Sequence, residues 1–91
     1  MRKIVFSPKF GRALRRYVKR NPELRNRLEN VIQQMELDVF APSLGTHPLR
    51  GKLEGFQACS CGYDCRIIFS VDSEAIVLID IGTHDEVSLT V

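Results

Sequence analysis

Residues 64–81 read DCRIIFSVDSEAIVLIDI, and this stretch decides the fold. Two apolar runs, 64–71 and 75–81, flank the turn residues Asp72-Ser73-Glu74, a pattern typical of an antiparallel β-hairpin. Alternate side chains of a strand point to opposite faces of its sheet. One set should therefore face a core, namely Cys65, Ile67, Phe69 and Val71. The other set should lie on the open face, namely Asp64, Arg66, Ile68 and Ser70.

The chain before this hairpin adds further elements. Residues 3–6 (KIVF) predict a strand, and Ser7-Pro8 is a helix start signal for a helix that runs to about Arg20. Asn21-Pro22 should open a second helix by the same chemistry, ending near Leu37, and residues 56–61 predict a further strand. We therefore expect an α+β fold, in which two N-terminal helices pack on a four-stranded, mainly antiparallel sheet. After the last strand, residues 83–86 (THDE) fit a helix capping box or a simple turn.

Length and composition limit the alternatives. With 91 residues, the chain is expected to form one domain over 1–91. It contains no apolar run of the ~18 residues that a membrane span needs. The apolar run after the initial Met-Arg-Lys is too short for a signal peptide. We therefore expect a cytoplasmic protein with no membrane partner.

The net charge of +2 hides an asymmetry along the chain. Residues 1–34 hold ten Lys and Arg against two acidic residues, whereas residues 35–91 hold three against nine. A basic N-terminal half favours a nucleic-acid partner. The alternative is a pair of helices that simply expose their basic side to water.

Side chains suited to RNA cleavage cluster in the second half of the chain. His47 and His84 are the only histidines, and residues of this type transfer protons near neutral pH. Asp64 and Arg66 lie in the strand between them, and Arg50 and Lys52 lie in the loop that follows His47. Cations of this kind can hold a phosphate, although a solvated loop would explain Arg50 and Lys52 equally well. No glycine-rich phosphate loop or nucleophile elbow is present.

The three cysteines form the pattern C-x-C-x3-C at Cys59, Cys61 and Cys65. An odd number of cysteines in a chain without a signal peptide predicts no disulfide. A closed zinc site needs four ligands, and the sequence fixes no fourth one nearby. We therefore expect packed core thiols, no metal and no cofactor.

At the motifs HPLRGKLEG, SCGYDCRIIF and IVLIDIGTHDEV the chain resembles the RelE/ParE superfamily of bacterial type II toxins, and within it the YafQ-like branch. The resemblance covers essentially the whole chain and implies the RelE-like microbial-RNase architecture. It also implies a ribosome-dependent endoribonuclease that cuts mRNA without a metal ion and is silenced by a cognate antitoxin. The implied partners are this antitoxin, mRNA and ribosomal RNA. The toxin alone would be a monomer and would form a larger complex with the antitoxin.

Carried over by position, His47, Asp64 and His84 match the catalytic residues of the YafQ-like branch. Arg66 matches the strand arginine that RelE-like members direct at the scissile phosphate, and Lys52 lies near their catalytic lysines. Two positions depart from the pattern. Ser60 stands where the branch carries a further histidine, and Ser88 stands where it carries an aromatic residue.

Two alternatives remain open at the level of sequence. A ParE-type toxin would share the fold but inhibit DNA gyrase without being an enzyme. A catalytically decayed toxin-like domain would only bind an antitoxin. The histidine and aspartate residues favour the nuclease, whereas Ser60 and Ser88 favour the decayed domain.

Overall fold

In the computed structural model of the chain, residues 2–62 and 64–83 are described. One sheet contains five strands: β1 (Lys3–Phe6), β2 (His47–Pro48), β3 (Gln57–Ser60), β4 (Arg66–Val71) and β5 (Ala75–Gly82). Their order across the sheet is β1-β5-β4-β3-β2. β1 runs parallel to β5, and the other neighbouring pairs are antiparallel.

The α+β class is confirmed, but the predicted four-stranded sheet is wrong in its detail. The fifth strand is β2, whose two residues lie opposite Gln57 and Ala58 of β3. The sheet is also mixed, because β1 reaches β5 only after the chain has passed through both helices. Parallel neighbours require a crossover of this kind.

Two helices precede most of the sheet: α1 (Pro8–Arg20) and α2 (Arg25–Leu37). Ser7 caps α1 as predicted, since its hydroxyl accepts a hydrogen bond from the Phe10 amide at 3.1 Å. Asn21 does not cap α2. Its side-chain amide donates to the Tyr17 carbonyl at 3.0 Å and so closes the end of α1. A 3₁₀ turn over Pro22–Leu24 follows, and α2 begins three residues later than predicted.

The main core lies between the helices and one face of the sheet. From β4 and the residue before it, Cys65, Ile67 and Phe69 are buried here, as their alternation predicted. The helices and β5 contribute most of the remaining buried side chains: Phe10, Ala13, Tyr17, Leu28, Met35, Ile76, Leu78 and Ile81. This layer fixes which face of β4 remains open.

The open face carries a second, smaller apolar cluster. Ala58 of β3 and Ile68 of β4 are buried there, with Leu49, Phe56 and Ile79 packed against them. The connection between β2 and β3 therefore folds over part of the open face. What remains accessible is the end of the sheet where β2, the end of β3 and the start of β4 meet.

None of the helices in the described part of the chain is long and apolar enough to cross a membrane. The capping box expected over 83–86 falls, apart from Thr83, outside the described residues, as does Ser88.

Asp72 stabilises the turn between β4 and β5. Its carboxylate accepts hydrogen bonds from the amides of Ala75 and Glu74, both at 2.8 Å, and these bonds lower its pKa from the ordinary 3.8. A lowered folded-state pKa stabilises the fold fully above the unfolded-state value. This contribution is lost as the pH falls from 3.8 through the lower folded-state pKa.

We therefore expect the melting temperature of Asp72→Asn to fall less steeply with acidification than that of the wild type. Thermal melts between neutral pH and pH values below 3.8 measure this difference. Ser73→Ala, a change in the same turn, should keep the wild-type slope. Equal slopes for Asp72→Asn and the wild type would contradict the assignment.

Candidate active site at the open end of the sheet

His47 is held by a backbone carbonyl. It occupies β2 opposite Ala58, and its Nδ1 atom lies 3.0 Å from the Gly45 carbonyl oxygen. A carbonyl oxygen can only accept a hydrogen bond, so Nδ1 is the protonated nitrogen. In the neutral ring the Nε2 nitrogen is then left with its lone pair exposed.

Arg66 lies beside this exposed nitrogen. It is the first residue of β4, where it pairs with Ser60 on one side and with Gly82 on the other. Its Nη1 atom lies 3.5 Å from His47 Nε2. A guanidinium has no acceptor, so Arg66 donates to the imidazole. Both contacts of the ring therefore agree with a proton on Nδ1 and a lone pair on Nε2. The pair combines a proton acceptor with a permanent cation that can form two parallel bonds to a phosphate.

The segment before His47 was not predicted as part of the site. Gly45 has a φ of +61°, which lets the chain leave the short 3₁₀ turn over Pro42–Leu44 and turn its carbonyl toward the imidazole. The next residue is Thr46, whose hydroxyl donates to the Val39 carbonyl at 2.6 Å and so fixes the chain just before His47. A glycine two residues before a candidate histidine was the available signal.

Asp64 is placed differently from the prediction. β4 begins at Arg66 rather than at Asp64, and Asp64 lies in the preceding turn with a φ of +56°. Its exposed side chain therefore does not follow the alternation of the strand. An aspartate tolerates this left-handed conformation better than most residues. In the sequence, Asp64 precedes Arg66 by two residues.

A disulfide closes this turn, so the expectation of no disulfide is wrong. Cys61 and Cys65 are bonded, with Cα atoms 5.1 Å apart, and the Cys61 amide donates to the Cys65 carbonyl at 3.0 Å. The Cα separation is ordinary for a disulfide. The bond fixes the chain immediately before Arg66.

Cys59 is the remaining thiol, and it lies in the core. Its sulfur is 4.0 Å from the sulfur of Met35, and burial raises its pKa to about 12. The thiol therefore stays protonated at neutral pH and is not a nucleophile. Among the described residues, no group of three or more His, Cys, Asp or Glu side chains could hold a metal ion.

The structure brings together only part of the predicted set. Arg50 and Lys52 are exposed on the connection after β2, and in the described part of the chain neither is hydrogen-bonded to His47 or Arg66. His84 lies outside the described residues. The strand that leads to it ends at Gly82, the partner of Arg66.

Comparison with known proteins identifies the family of this chain. Residues 2–88 match the family described as "Bacterial toxin of type II toxin-antitoxin system, YafQ". The chain belongs to the YafQ toxin family. This result confirms the family to which the three sequence motifs pointed. No curated protein sequence matches the chain.

Solved structures of YafQ and YoeB have the same fold as this chain. The crystal structure of YafQ from E. coli strain BL21(DE3) has 16% identity and a TM-score of 0.82, covering 96% of this chain and 98% of that one. YafQ in the E. coli DinJ-YafQ complex has 17% identity and a TM-score of 0.78, covering 94% and 97%. The YoeB dimer from Staphylococcus aureus has 14% identity and a TM-score of 0.74, covering 91% and 97%. At these identities the likeness concerns the fold.

Within this YafQ family member, Ser60 occupies the position beside the His47–Arg66 pair. It lies directly opposite Arg66 and is exposed. A serine hydroxyl can donate and accept hydrogen bonds but does not titrate near neutral pH, so Ser60 adds no proton-transfer group to the site.

Proposed function

We propose that this chain is the toxin of a type II toxin–antitoxin system and that it cuts mRNA on the ribosome. The observation that carries the proposal is the His47–Arg66 pair, with the Nε2 lone pair directed at a cation at the accessible end of the sheet. This arrangement places a base beside a binding site for a phosphate.

In this scheme the Arg66 guanidinium moves to the RNA phosphate and frees the lone pair of His47 Nε2, which then removes the proton from a ribose 2′-hydroxyl. The 2′-oxygen attacks the adjacent phosphorus, and the bond from phosphorus to the 5′-oxygen of the next nucleotide breaks. His84 donates a proton to that leaving oxygen, which leaves a 2′,3′-cyclic phosphate and a 5′-hydroxyl. Arg66 stabilises the charge on the pentacoordinate phosphorane. In comparable sites one such donor lowers the barrier by about 3–4 kcal/mol.

Two other groups have supporting roles. Asp64, two residues before Arg66, stabilises the charge of a protonated histidine or orients its ring. Arg50 and Lys52 hold neighbouring phosphates of the RNA. Their contribution is electrostatic and should weaken with rising salt.

The test is to map cuts in a reporter mRNA incubated with the purified chain, with and without ribosomes. Cuts that appear only with ribosomes and end in a cyclic phosphate support the proposal. Intact mRNA together with inhibited DNA gyrase would favour the ParE-type alternative. Intact mRNA and uninhibited gyrase would favour the decayed, antitoxin-binding domain.

An apolar groove between the two helices suits an antitoxin. It has a volume of about 540 Å³ and is lined by Leu14 and Val18 of α1, Leu28 and Ile32 of α2, and Phe6. Phe6 is 49% exposed, and its ring adds to the apolar surface of the groove. Four charged side chains also line it: the basic Arg15, Lys19 and Arg25, and the acidic Glu29, which lies 4.0 Å from Arg25. This combination fits an amphipathic segment with acidic flanks.

Reversing the groove charges should weaken the antitoxin complex. We expect the double variant Arg15→Glu, Lys19→Glu to lose at least about tenfold in affinity for its cognate antitoxin, because like charges across an interface repel. Titration calorimetry at two salt concentrations measures the loss, which should shrink at high salt.

The double variant Arg12→Glu, Arg16→Glu is the matched control. It changes the charge of the same helix equally, at exposed positions outside the groove lining. Equal losses for both variants would show that net charge alone attracts the antitoxin and would contradict docking in the groove.

A further inference from the structure

The disulfide between Cys61 and Cys65 has no part in the proposed chemistry, but it lies directly beside the candidate active site. Cys65 precedes Arg66, the first residue of β4. Cys61 follows Ser60, the residue that pairs with Arg66 across the two strands. The covalent bond therefore joins the end of β3 to the start of β4, and a change in this bond acts first on the position of Arg66.

The turn that the disulfide closes has an unusual backbone. Gly62 has a φ of +123° and Asp64 a φ of +56°, so two residues of the same turn lie in the left-handed region. Glycine adopts such angles freely, whereas an aspartate adopts them at some cost. One hydrogen bond, from the Cys61 amide to the Cys65 carbonyl at 3.0 Å, supports the covalent bond. Without the disulfide, the turn is free to relax, and the start of β4 moves with it.

Small thiols and disulfides can reach the two cysteines when this turn opens. Both cysteines are only 1% exposed in the closed turn. Residues 62–64 alone separate them in the chain, and Gly62 and Asp64 are exposed. Cys61 also lines an open depression of about 400 Å³ between α2 and the end of β3. Short exposed segments open locally at a small fraction of the cost of global unfolding, so the sulfur atoms are shielded but not sealed.

A cation lies close to one of the two cysteines. The Arg27 guanidinium occupies the space that a Cβ on Gly62 would need, and Arg27 lines the depression together with Cys61. A nearby cation favours the thiolate, which is the form of cysteine that attacks a disulfide. The chain neighbours of Cys65 are Asp64 and Arg66, whose opposite charges offset each other. In the reduced chain Cys61 is therefore the attacking thiol and Cys65 the resolving one.

We propose that Cys61 and Cys65 form a reversible redox site, and that its oxidation activates the toxin by holding Arg66 in the candidate active site. The Cys61 thiolate attacks a small disulfide such as glutathione disulfide, which forms a mixed disulfide and releases one glutathione. The Cys65 thiolate then attacks the Cys61 sulfur and releases the second glutathione. The two protein thiols lose two electrons, and their protons pass to the two glutathione thiols. A small dithiol reverses both steps.

Such a site adds a second control to that of an antitoxin. A reducing compartment keeps the pair as thiols, so the turn is loose and the toxin cuts slowly. An oxidising agent closes the turn and raises the activity of toxin that is already free of its antitoxin. The effect on cleavage rests on the proposed nuclease function, whereas the effect of the bond on the position of Arg66 can be measured without it.

The first experiment compares the purified chain after treatment with dithiothreitol and after treatment with glutathione disulfide. A thiol-reactive dye added after unfolding should count three thiols in the first sample and one, Cys59, in the second. We expect the backbone amide NMR signals of His47 and Arg66 to differ between the two states and to return on reoxidation. Cys59→Ala should respond like the wild type. Three thiols in both samples, or unchanged signals of His47 and Arg66, would overturn the proposal.

The second experiment measures single-turnover cleavage of a reporter mRNA on ribosomes. The oxidised wild type should cut at least about tenfold faster than the reduced one, since a misplacement of about 1 Å can cost about 100-fold in rate. The double variant Cys61→Ala, Cys65→Ala should cut at the reduced rate in both conditions.

Arg66→Ala separates positioning from general stabilisation. Because the disulfide acts through Arg66, the two redox states of this variant should cut at rates within about twofold of each other. A disulfide that only stabilised the fold would change the rate of Arg66→Ala and of the wild type by the same factor. That result, or equal rates for the oxidised and reduced wild type, would overturn the inference. If neither state cuts mRNA, the nuclease proposal fails, and the NMR comparison alone decides whether the bond positions Arg66.

Discussion

His47→Gln is expected to lower the rate of mRNA cleavage by about 10²–10⁴-fold, the usual loss when a proton-transfer group is removed. Glutamine keeps a similar size, but it cannot take up a proton at neutral pH. Single-turnover cleavage of a reporter mRNA on ribosomes measures the effect. Growth arrest on induction should disappear in parallel.

Arg66→Ala should cost about 10²–10³-fold in the same assay, since it removes the cation beside the reacting phosphate. Ser70→Ala is a suitable control, because Ser70 lies on the same strand at a position that is also partly exposed. Both site variants should keep the melting temperature of the wild type and its affinity for the antitoxin. Full activity in His47→Gln would exclude His47 as the base.

His84→Ala should likewise abolish toxicity, and Asp64→Asn should weaken it. These two expectations follow from the family resemblance. In the proposed scheme His47 is the base, which leaves the role of acid to His84. A double variant that lacks both histidines should be no less active than the more damaged single variant, because residues that act as one catalytic unit are not additive.

Phe69→Ala is expected to destabilise the fold by about 3–5 kcal/mol, the range for removing a buried phenylalanine ring. Phe69 is fully buried in β4, opposite Leu78, between the sheet and the helices. Domains of this size are stable by only about 5–15 kcal/mol in total. At the low end of that range the variant would keep at most about 2 kcal/mol, and a measurable share of its chains would be unfolded.

Urea denaturation measures the free energy of unfolding, and Phe40→Ala is the matched control. Phe40 is 54% exposed and its ring centroid lies 5.8 Å from the Arg2 guanidinium, so its removal should cost no more than about 1 kcal/mol. A loss below about 1.5 kcal/mol for Phe69→Ala would contradict the packing described for β4.

The elements with strong local signals could be predicted from the sequence. The β4–β5 hairpin and both faces of β4 followed from two apolar runs around Asp72-Ser73-Glu74, and α1 followed from Ser7 and Pro8. β2 could not be predicted, because two residues carry no periodicity and the strand exists only through its pairing with β3. The parallel pairing of β1 with β5 is equally invisible, since it joins segments about seventy residues apart.

Two other differences between the sequence-based predictions and the structure arise from local contacts. Asn21 has the chemistry of a helix start, yet its side chain bonds to the carbonyl of Tyr17 at the end of α1. Cys61 and Cys65 were interpreted from the expected cellular compartment, whereas the tight turn between them brings their Cα atoms within bonding range. In both cases a local contact determined the outcome.

The candidate site was predictable as a set of residue types but not as a geometry. The motifs named His47 and Arg66, which the structure places together. The periodicity of the sequence does not predict the hydrogen bond that selects the tautomer of His47. It also does not predict that Asp64 lies outside the strand. Both depend on left-handed backbone conformations, at Gly45 and at Asp64 respectively.

The pairing of β1 with β5 also sets an order of events during protein synthesis. Of the five described strands, β1 is translated first and its partner β5 last, so Ile4, Val5 and Phe6 join the sheet only when residues 76–78 are present. Contacts between such distant segments form slowly. Because Phe6 also lines the groove between the helices, that groove is complete only after the sheet has closed. An antitoxin that binds there would recognise the finished toxin and would leave the growing chain alone.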